Sequence, residues 1–353
     1  MSTRAIRPWI VIVGGFLGSG KTTLILAAAQ ELERRGIRSA IILNDQGGAL
    51  VDTDYARLNG RRSGEVTGGC FCCKFSDLVR VMAQLRAHSP EVIFAEPVGS
   101  CTDISATILH PLLECGDEYR LAPFTVLVDP QRATELLGAG ADPSLSFLFR
   151  NQLQEADVVS FTKSDLYSEY PAIPAKHIRQ VSAQTGQGVA AWLDEVLSGR
   201  LMAGSQILDI DYQEYARAEA ALVWLNLQVH VEPRIPCSSS MLLGPLLQRL
   251  DAEFTAHRIS IVHLKAIMKA PTGFLKAAMC ANGQPPVVGG DLSASPASSH
   301  DLLLNLRTLG SAVQVREIVE NELGKVDGTL SGLEVACFHP AAPKPERRAR
   351  ATG

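Results

Sequence analysis

The chain has 353 residues, 46% apolar and 20% charged, which is ordinary globular composition and enough length for two domains. Thirty-three basic against thirty-seven acidic side chains leave a net charge of −4, so neither nucleic acid nor acidic lipid is an expected partner. No apolar run approaches the ~18 residues that cross a bilayer, and no membrane-spanning helix is expected.

At the N-terminus Arg4 and Arg7 precede the apolar stretch Trp9–Leu17, and Ala27-Ala28-Ala29 has the small residues of a signal-peptidase site. Lys21 and the polar run GSGKTT interrupt any secretory core. The stretch therefore reads as a buried strand entering a Gly-rich turn, and the protein as cytoplasmic. Its eight cysteines are then expected as thiols or metal ligands rather than disulfides.

The first two hundred residues alternate short apolar runs with helical patterns. Strands are predicted at Trp9–Val13, Ser39–Leu43, Val92–Ala95, Phe124–Val128 and Ala156–Phe161. Leu24, Ile25, Ala28 and Leu32 give Thr22–Arg35 a helical spacing that Gly36 ends, and Pro143–Gln154 and Val189–Leu197 supply later helices. Nearly continuous Val/Ile/Leu strands separated by helices imply α/β architecture, a doubly wound, mostly parallel sheet covered on both faces. The alternation lapses around Ser198–Gln206, dividing the chain into domains at 1–204 and 205–340. In the second domain the pattern predicts strand Leu222–Val231, helix Ser240–Ala256, strands Ile259–Ala270, Phe274–Ala281 and Leu302–Arg307, helix Val313–Leu323, and a last strand near Leu333–Phe338. That order describes a smaller α+β domain of antiparallel pairs with helices on one face. Gly283–Ser299 is rich in Pro, Gly and Ser and reads as an exposed loop; the Pro/Arg/Ala-rich tail, 341–353, reads as loosely held.

Gly15-Phe16-Leu17-Gly18-Ser19-Gly20-Lys21-Thr22 has the spacing of a phosphate-binding loop, with a strand before it and a helix after it. Backbone N–H groups of Gly15, Gly18, Ser19 and Gly20 would turn in around the phosphates. Lys21 would face the β/γ-phosphates, Thr22 would ligate Mg²⁺, and Thr23 continues the helix start. Glu96-Pro97-Val98-Gly99 closes a strand at the edge where doubly wound sheets bind ligands. There Glu96 can hold a Mg²⁺-bound or attacking water and Gly99 can reach the γ-phosphate. Asp45, at the end of another strand, is the second candidate acid, equally readable as a solvated loop carboxylate. Thr162-Lys163-Ser164-Asp165 follows a further strand. Asp165 can accept from N1–H and the 2-amino group of guanine, Lys163 can lie along the ring, and Ser182-Ala183 in VSAQTGQG completes a base-recognition set favouring GTP. Gly69-Cys70-Phe71-Cys72-Cys73 places three thiols within four residues, which suits Zn²⁺, or Co²⁺, better than a hard cation. The competing reading is buried or redox cysteines. Cys101 and His110 are candidate additional ligands, while Cys115, Cys237, Cys280 and Cys337 read as core thiols.

In their order, GGFLGSGKTT, ILNDQGG…VD, GGCFCC, EPVG, TKSD and SAQTGQG make residues 9–200 resemble the CobW-type GTPases, relatives of HypB and UreG. The resemblance implies a GTP-hydrolysing metal chaperone or insertase, with Cys70, Cys72 and Cys73 on the family's metal motif. The chain departs from the family where Asn44-Asp45-Gln46-Gly47-Gly48 replaces Asn-Glu-Phe-Gly-Glu, where Thr162 replaces Asn, and in a second half without a His-rich tract. The expectation is a GTPase that couples nucleotide state to binding or delivery of a transition metal, with a metal-dependent client protein and a nucleotide-dependent homodimer as partners. The alternatives are a P-loop kinase or transferase on a small molecule with structural cysteines, and a non-catalytic nucleotide-dependent scaffold.

Overall fold

The structure, a computed structural model, describes residues 7–47, 51–58, 60–116, 118–175 and 177–350; Arg4 and Gly48, both used above, lie outside them. The chain divides into two compact units. One takes in Met1–Gln46, Ala56–Ala218 and Ala342–Gly353, the other Gly47–Tyr55 and Glu219–Ala341.

The first unit runs β1 (Trp9–Gly15), α1 (Lys21–Arg34), β2 (Ser39–Asn44), the end of α2 (Val51–Leu58), β3 (Ser63–Val66), α3 (Phe75–Arg86) and β4 (Val92–Glu96). A π-helical turn, Ser105–Leu109, then leads into α4 (His110–Glu114). There follow β5 (Arg120–Leu121), β6 (Thr125–Val128), α5 (Pro130–Leu137), α6 (Pro143–Glu155), β7 (Val158–Phe161), β8 (Ile178–Gln180), α7 (Val189–Val196) and most of α8 (Tyr212–Ala220). The strands form one parallel sheet in the order β3-β2-β4-β1-β6-β7-β8, with β5 beside β1. This is the doubly wound architecture the hydrophobic pattern predicts. Central strands buried on both faces read as unbroken Val/Ile/Leu runs, and β1 is buried along Ile10–Gly15. On one face Leu24, Ile25, Ala28 and Leu32 of α1 meet Val11, Val13, Ile41 and Phe94, joined by Trp192, Leu193 and Val196 of α7. The shared strand direction brings the C-terminal ends of β1, β2 and β4 to one edge, where β–α loops carry ligand-binding residues.

The second unit is a six-stranded antiparallel sheet in the order β12-β11-β10-β13-β9-β14. Its elements are β9 (Leu222–Glu232), α9 (Ser239–Ala256), β10 (Ser260–Ala270), β11 (Gly273–Met279), β12 (Val287–Gly290), β13 (His300–Leu309), α10 (Ala312–Leu323) and β14 (Thr329–Phe338). One residue in two along β9, β10 and β13 faces α9 and α10, where Leu225, Leu227, Leu304 and Leu306 pack on Leu246, Leu250, Phe254 and Val319. The alternate residues face the other way and receive Val51–Tyr55. Val51 packs on Ile267 and Leu303, and its N–H donates to Asn305 Oδ1 at 3.0 Å. Asp52 Oδ2 accepts from Lys265 Nζ at 2.5 Å, and Asp54 Oδ2 from Lys269 Nζ at 2.6 Å. The segment directly after Asp45 and Gln46 thus belongs to the second unit's sheet, which the linear division of the chain does not anticipate.

Two further readings are corrected. Gly283–Ser299 is not all loop, because β12 within it pairs with β11; as an edge strand with exposed Val287 and Val288 it shows no buried pattern. The tail described to Arg350 is tied to the first unit rather than loosely held. Glu346 N–H donates to Cys72 O and Ala349 N–H to Ala106 O, both at 2.9 Å, and Arg348 Nε donates to the buried Asp103 Oδ2 at 2.7 Å. Composition cannot show such partners. Among the described residues no helix is long and apolar enough to cross a membrane.

Candidate functional site

The phosphate-binding sequence folds as a tight turn between β1 and α1. Gly15 has φ 130°, and a Cβ there would stand 2.5 Å from Leu127 O and 2.8 Å from Ser19 Oγ, so only glycine fits. α1 starts at Gly20 in the left-handed region with no side-chain cap, so its first-turn N–H groups lie at the positive helix end, an anion-binding arrangement. Lys21 is buried and folds back, donating from Nζ to Gly15 O at 2.8 Å and Phe16 O at 3.2 Å. Thr22 Oγ1 donates to Glu96 Oε1 at 3.1 Å, both side chains buried. The structure thus brings together two residues 74 positions apart that the sequence reading assigns to one Mg²⁺. Gly99 lies over the same place, since a Cβ on it would come 2.8 Å from Leu17 Cδ2 and 3.0 Å from Lys21 Nζ. Ser19 is buried, Gly18 has φ 82°, and Thr23 is exposed on the first helical turn.

At the far end of the same sheet, Lys163 has φ 57° and its Nζ forms an ion pair with Asp129. Asp129 also caps α5, accepting from Gln131 N at 2.9 Å and Arg132 N at 3.3 Å through Oδ1. The sequence reading missed Asp129; its one signal is an aspartate directly before Pro130, the N-cap pattern. Asp165 is exposed, Thr162 is buried, and Ser182 is buried with its Oγ accepting from Thr185 N at 3.1 Å. Ala183 is half-buried beside it.

The thiols converge. Cys70 Sγ lies 2.8 Å from Cys72 Sγ, Cys72 Sγ lies 3.8 Å from Cys73 Sγ, and all three sulfurs are within 4.8 Å of one another. Cys70 and Cys72 are buried and Cys73 is half-buried. The loop is held by Asn44 at the end of β2. Its Nδ2 donates to Val66 O at 2.9 Å and Gly69 O at 2.8 Å, and its Oδ1 accepts from Phe71 N at 2.8 Å. Asn44 was quoted in the sequence motif without a role; it is the bracket that fixes the cysteine loop to the sheet. Asp45, the next residue, is half-buried, with its N–H donating to Val66 O at 3.3 Å. Hydrogen bonds from Cys101, Cys72 and Cys73 hold the Cys70 thiol well below the ordinary thiol range. The bonds to Cys101, Cys70 and Cys73, with burial, push Cys72 well above it. Among the described residues the mutually close ligand atoms are those of Cys70, Cys72 and Cys73, with Cys101 outside that set, and His110 Nε2 meets Gly204 O at 2.9 Å instead. Cys115, read as a core thiol, is exposed at the end of α4, and Cys237, Cys280 and Cys337 are only partly buried.

Beyond Cys101 the loop is anchored on Glu155, the last residue of α6. Its carboxylate accepts from Thr102 Oγ1 at 3.0 Å and Ser105 N at 3.1 Å. Burial pushes this carboxyl up to about 8 from an ordinary 4.5, so the folded state binds the extra proton between those values. Stability from this group is fully present below pH 4.5 and is lost as pH rises toward 8. Glu155→Gln removes that titration, because Thr102 Oγ1 can turn to accept from the new amide. Wild type and variant are expected to melt together near pH 5. At pH 8 the variant should melt higher by ~3–10 °C, for a penalty of ~1–3 kcal/mol. Parallel melting curves at both pH values would show that Glu155 stays charged without cost.

Strand, glycine turn, inward lysine and the Thr22–Glu96 pair define a P-loop nucleotide-binding protein. Residues 9–187 match the CobW/HypB/UreG nucleotide-binding domain, and the chain belongs to that family. It is 28% identical over 158 residues to the zinc chaperone YeiR of Escherichia coli (strain K12), covering 44% of this chain and 46% of that one. Against the zinc chaperone CobW of a Sinorhizobium species it is 27% identical over 204 residues, covering 50% and 56%. The chain spans about half the length of the curated relatives it matches. Among solved structures, HypB from Helicobacter pylori in complex with nickel is similar over 56% of this chain and 92% of that chain, at 15% identity and a TM-score of 0.43.

Proposed function

We propose that this chain binds and hydrolyses GTP and uses its nucleotide state to govern the binding and delivery of a transition metal, Zn²⁺ in the first place and Co²⁺ as the alternative cargo. The observation that carries the reading is the convergence of Cys70, Cys72 and Cys73 within 4.8 Å on a loop bracketed by Asn44, in the unit that holds the phosphate loop. Soft thiolates at this spacing suit Zn²⁺ and reject Mg²⁺. The relatives YeiR and CobW are zinc chaperones, which agrees with this cargo. Gly15, Gly18, Ser19, Gly20, Lys21 and Thr23 would line the triphosphate, and Thr22 and Glu96 would hold Mg²⁺, which screens the charge building on the phosphates. Glu96 and Asp45 would organise water, and Gly99 would bond the γ-phosphate. Lys163, placed by Asp129, would lie along the base while Asp165, Ser182 and Ala183 read guanine. Unassisted turnover should be slow, and a metal-dependent client or a second copy of the chain would accelerate it. The second domain, 205–340, would contact the client.

The nucleotide assignment is tested with Asp165→Asn. The variant loses the acceptor for guanine N1–H and should bind GTP at least ~10-fold more weakly while gaining xanthosine triphosphate, since one good hydrogen-bond set is worth ~1.5–3 kcal/mol when charged. The check is equilibrium binding of ATP, GTP and the xanthine nucleotide to both proteins. Wild type binding ATP as tightly as GTP would overturn the guanine reading.

A further inference from the structure

From Ala342 to Arg350 the chain joins no helix or strand, yet it lies along the first unit against the cysteine loop. Lys344 N–H donates to Cys73 Sγ at 3.2 Å, Glu346 N–H to Cys72 O at 2.9 Å and Ala349 N–H to Ala106 O at 2.9 Å. Two charged side chains latch the segment. Glu346 Oε2 accepts from Ser76 N at 2.9 Å and Ser76 Oγ at 2.6 Å, on the first turn of α3. Lys74, directly before α3, supplies no side-chain cap, so Glu346 caps that helix from 270 positions away. Arg348 donates from Nε to the buried Asp103 Oδ2 at 2.7 Å and from Nη2 to Leu208 O at 2.8 Å. Between the two latches the Arg347 guanidinium stands 5.4 Å from the centre of the Phe75 ring.

The segment meets the thiols where they are least buried. Cys70 and Cys72 are 5% and 2% exposed, whereas Cys73 is half-buried, and Cys73 Sγ is the sulfur that Lys344 N–H covers. We propose that residues 344–349 are a lid on the cation site: seated, they shield Cys73, and lifted, they let an ion enter or be passed on. The inference rests on the metal reading above and goes beyond it by naming the segment that controls passage. The lid is gripped by hydrogen bonds and an ion pair rather than by buried apolar side chains. A segment held in this way opens locally, at far less cost than unfolding the unit beneath it. The bond from Lys344 N–H does not compete with a metal, because a thiolate sulfur can accept an N–H while ligating, as hydrogen-bonded cluster sulfurs do. The lid therefore closes over free and metal-bound thiols alike. A segment that favours neither state cannot shift the binding equilibrium, so loosening it speeds entry and exit together and leaves affinity in place.

The test uses the full chain as wild type, Glu346→Ala, Arg348→Ala and Lys344→Ala, each checked by a thermal melt. Metal-free protein is alkylated with iodoacetamide and the modified residues are located by mass spectrometry, exposed Cys115 serving as the internal reference. Stopped flow then follows Zn²⁺ entering from a weak chromophoric chelator and leaving to a strong one. Loss of one charged latch is expected to speed Cys73 labelling, zinc capture and zinc release each by ~10-fold, with affinity and the Cys115 rate unchanged. Lys344→Ala keeps the backbone N–H and should match wild type. Arg348→Ala leaves the buried Asp103 carboxylate without its cation, so Glu346→Ala, at an exposed position, decides the matter if that variant does not fold. Wild-type labelling and transfer rates in Glu346→Ala, or zinc affinity lowered through release alone, would overturn the lid and leave the metal reading standing. Faster Cys73 labelling in a chain whose thiols take up no Zn²⁺ would overturn the metal reading and keep the segment as a cover over the thiols.

Discussion

Lys21→Ala is expected to lower triphosphate affinity by roughly a hundredfold or more, about 3 kcal/mol. The ammonium is buried and in the present geometry spends its charge on the Gly15 and Phe16 carbonyls. On our reading a nucleotide takes over that charge, and each charge-assisted bond to the β/γ-oxygens contributes ~1.5–3 kcal/mol. Alanine removes both bonds and leaves a cluster of inward carbonyls and helix N–H groups without a cation. Diphosphate binding should suffer less than triphosphate binding, because the γ-phosphate contributes part of the attraction. Calorimetric titration of both nucleotides checks this, with a thermal melt to show that the variant folds. A variant that binds triphosphate like wild type would remove Lys21 from the site.

Metal affinity is expected to differ by roughly 5- to 150-fold between the GDP form and a non-hydrolysable GTP analogue, a coupling of ~1–3 kcal/mol. Two short connections motivate the size. Asn44 ties the cysteine loop to the end of β2, one residue before Asp45, and Val51, Asp52 and Asp54 a few residues on are gripped by the second unit's sheet through Asn305, Lys265 and Lys269. Glu96 is bonded to Thr22, and its loop reaches Cys101 five residues later. Linkage requires the metal to change nucleotide affinity by the same factor. Because thiols lose protons on binding, uptake should release acid and weaken as pH falls, in both nucleotide states. Competition titrations with a chromophoric chelator in each state measure the ratio, and Cys70, Cys72 and Cys73 changed together to serine give the baseline. Equal affinities in the two states would reduce the cysteines to a structural site and sink the chaperone reading.

The phosphate loop, the parallel sheet and the cysteine motif were legible because their determinants are local. Gly15 and Gly20 are demanded by positive φ within a few bonds, the strands announce themselves as buried apolar runs, and Cys70, Cys72 and Cys73 are neighbours on the chain. The antiparallel second sheet was legible for the same reason, since alternation along β9, β10 and β13 is a property of each strand alone. Exposed β12 lacks that alternation and was read as loop.

What tertiary structure alone decided is which distant residues meet. The hydrogen bond between Thr22 and Glu96 spans 74 positions, and the pairing of Lys163 with Asp129 spans 34. The capture of Val51–Tyr55 by a sheet more than 150 residues downstream, and the tethering of Glu346 to Cys72 and of Arg348 to Asp103, follow from the same cause. Residue type and spacing determine what a side chain can do within a turn of helix or a pair of strands. Strand order, and the polar groups that must find partners once buried, decide which other side chain it does it with.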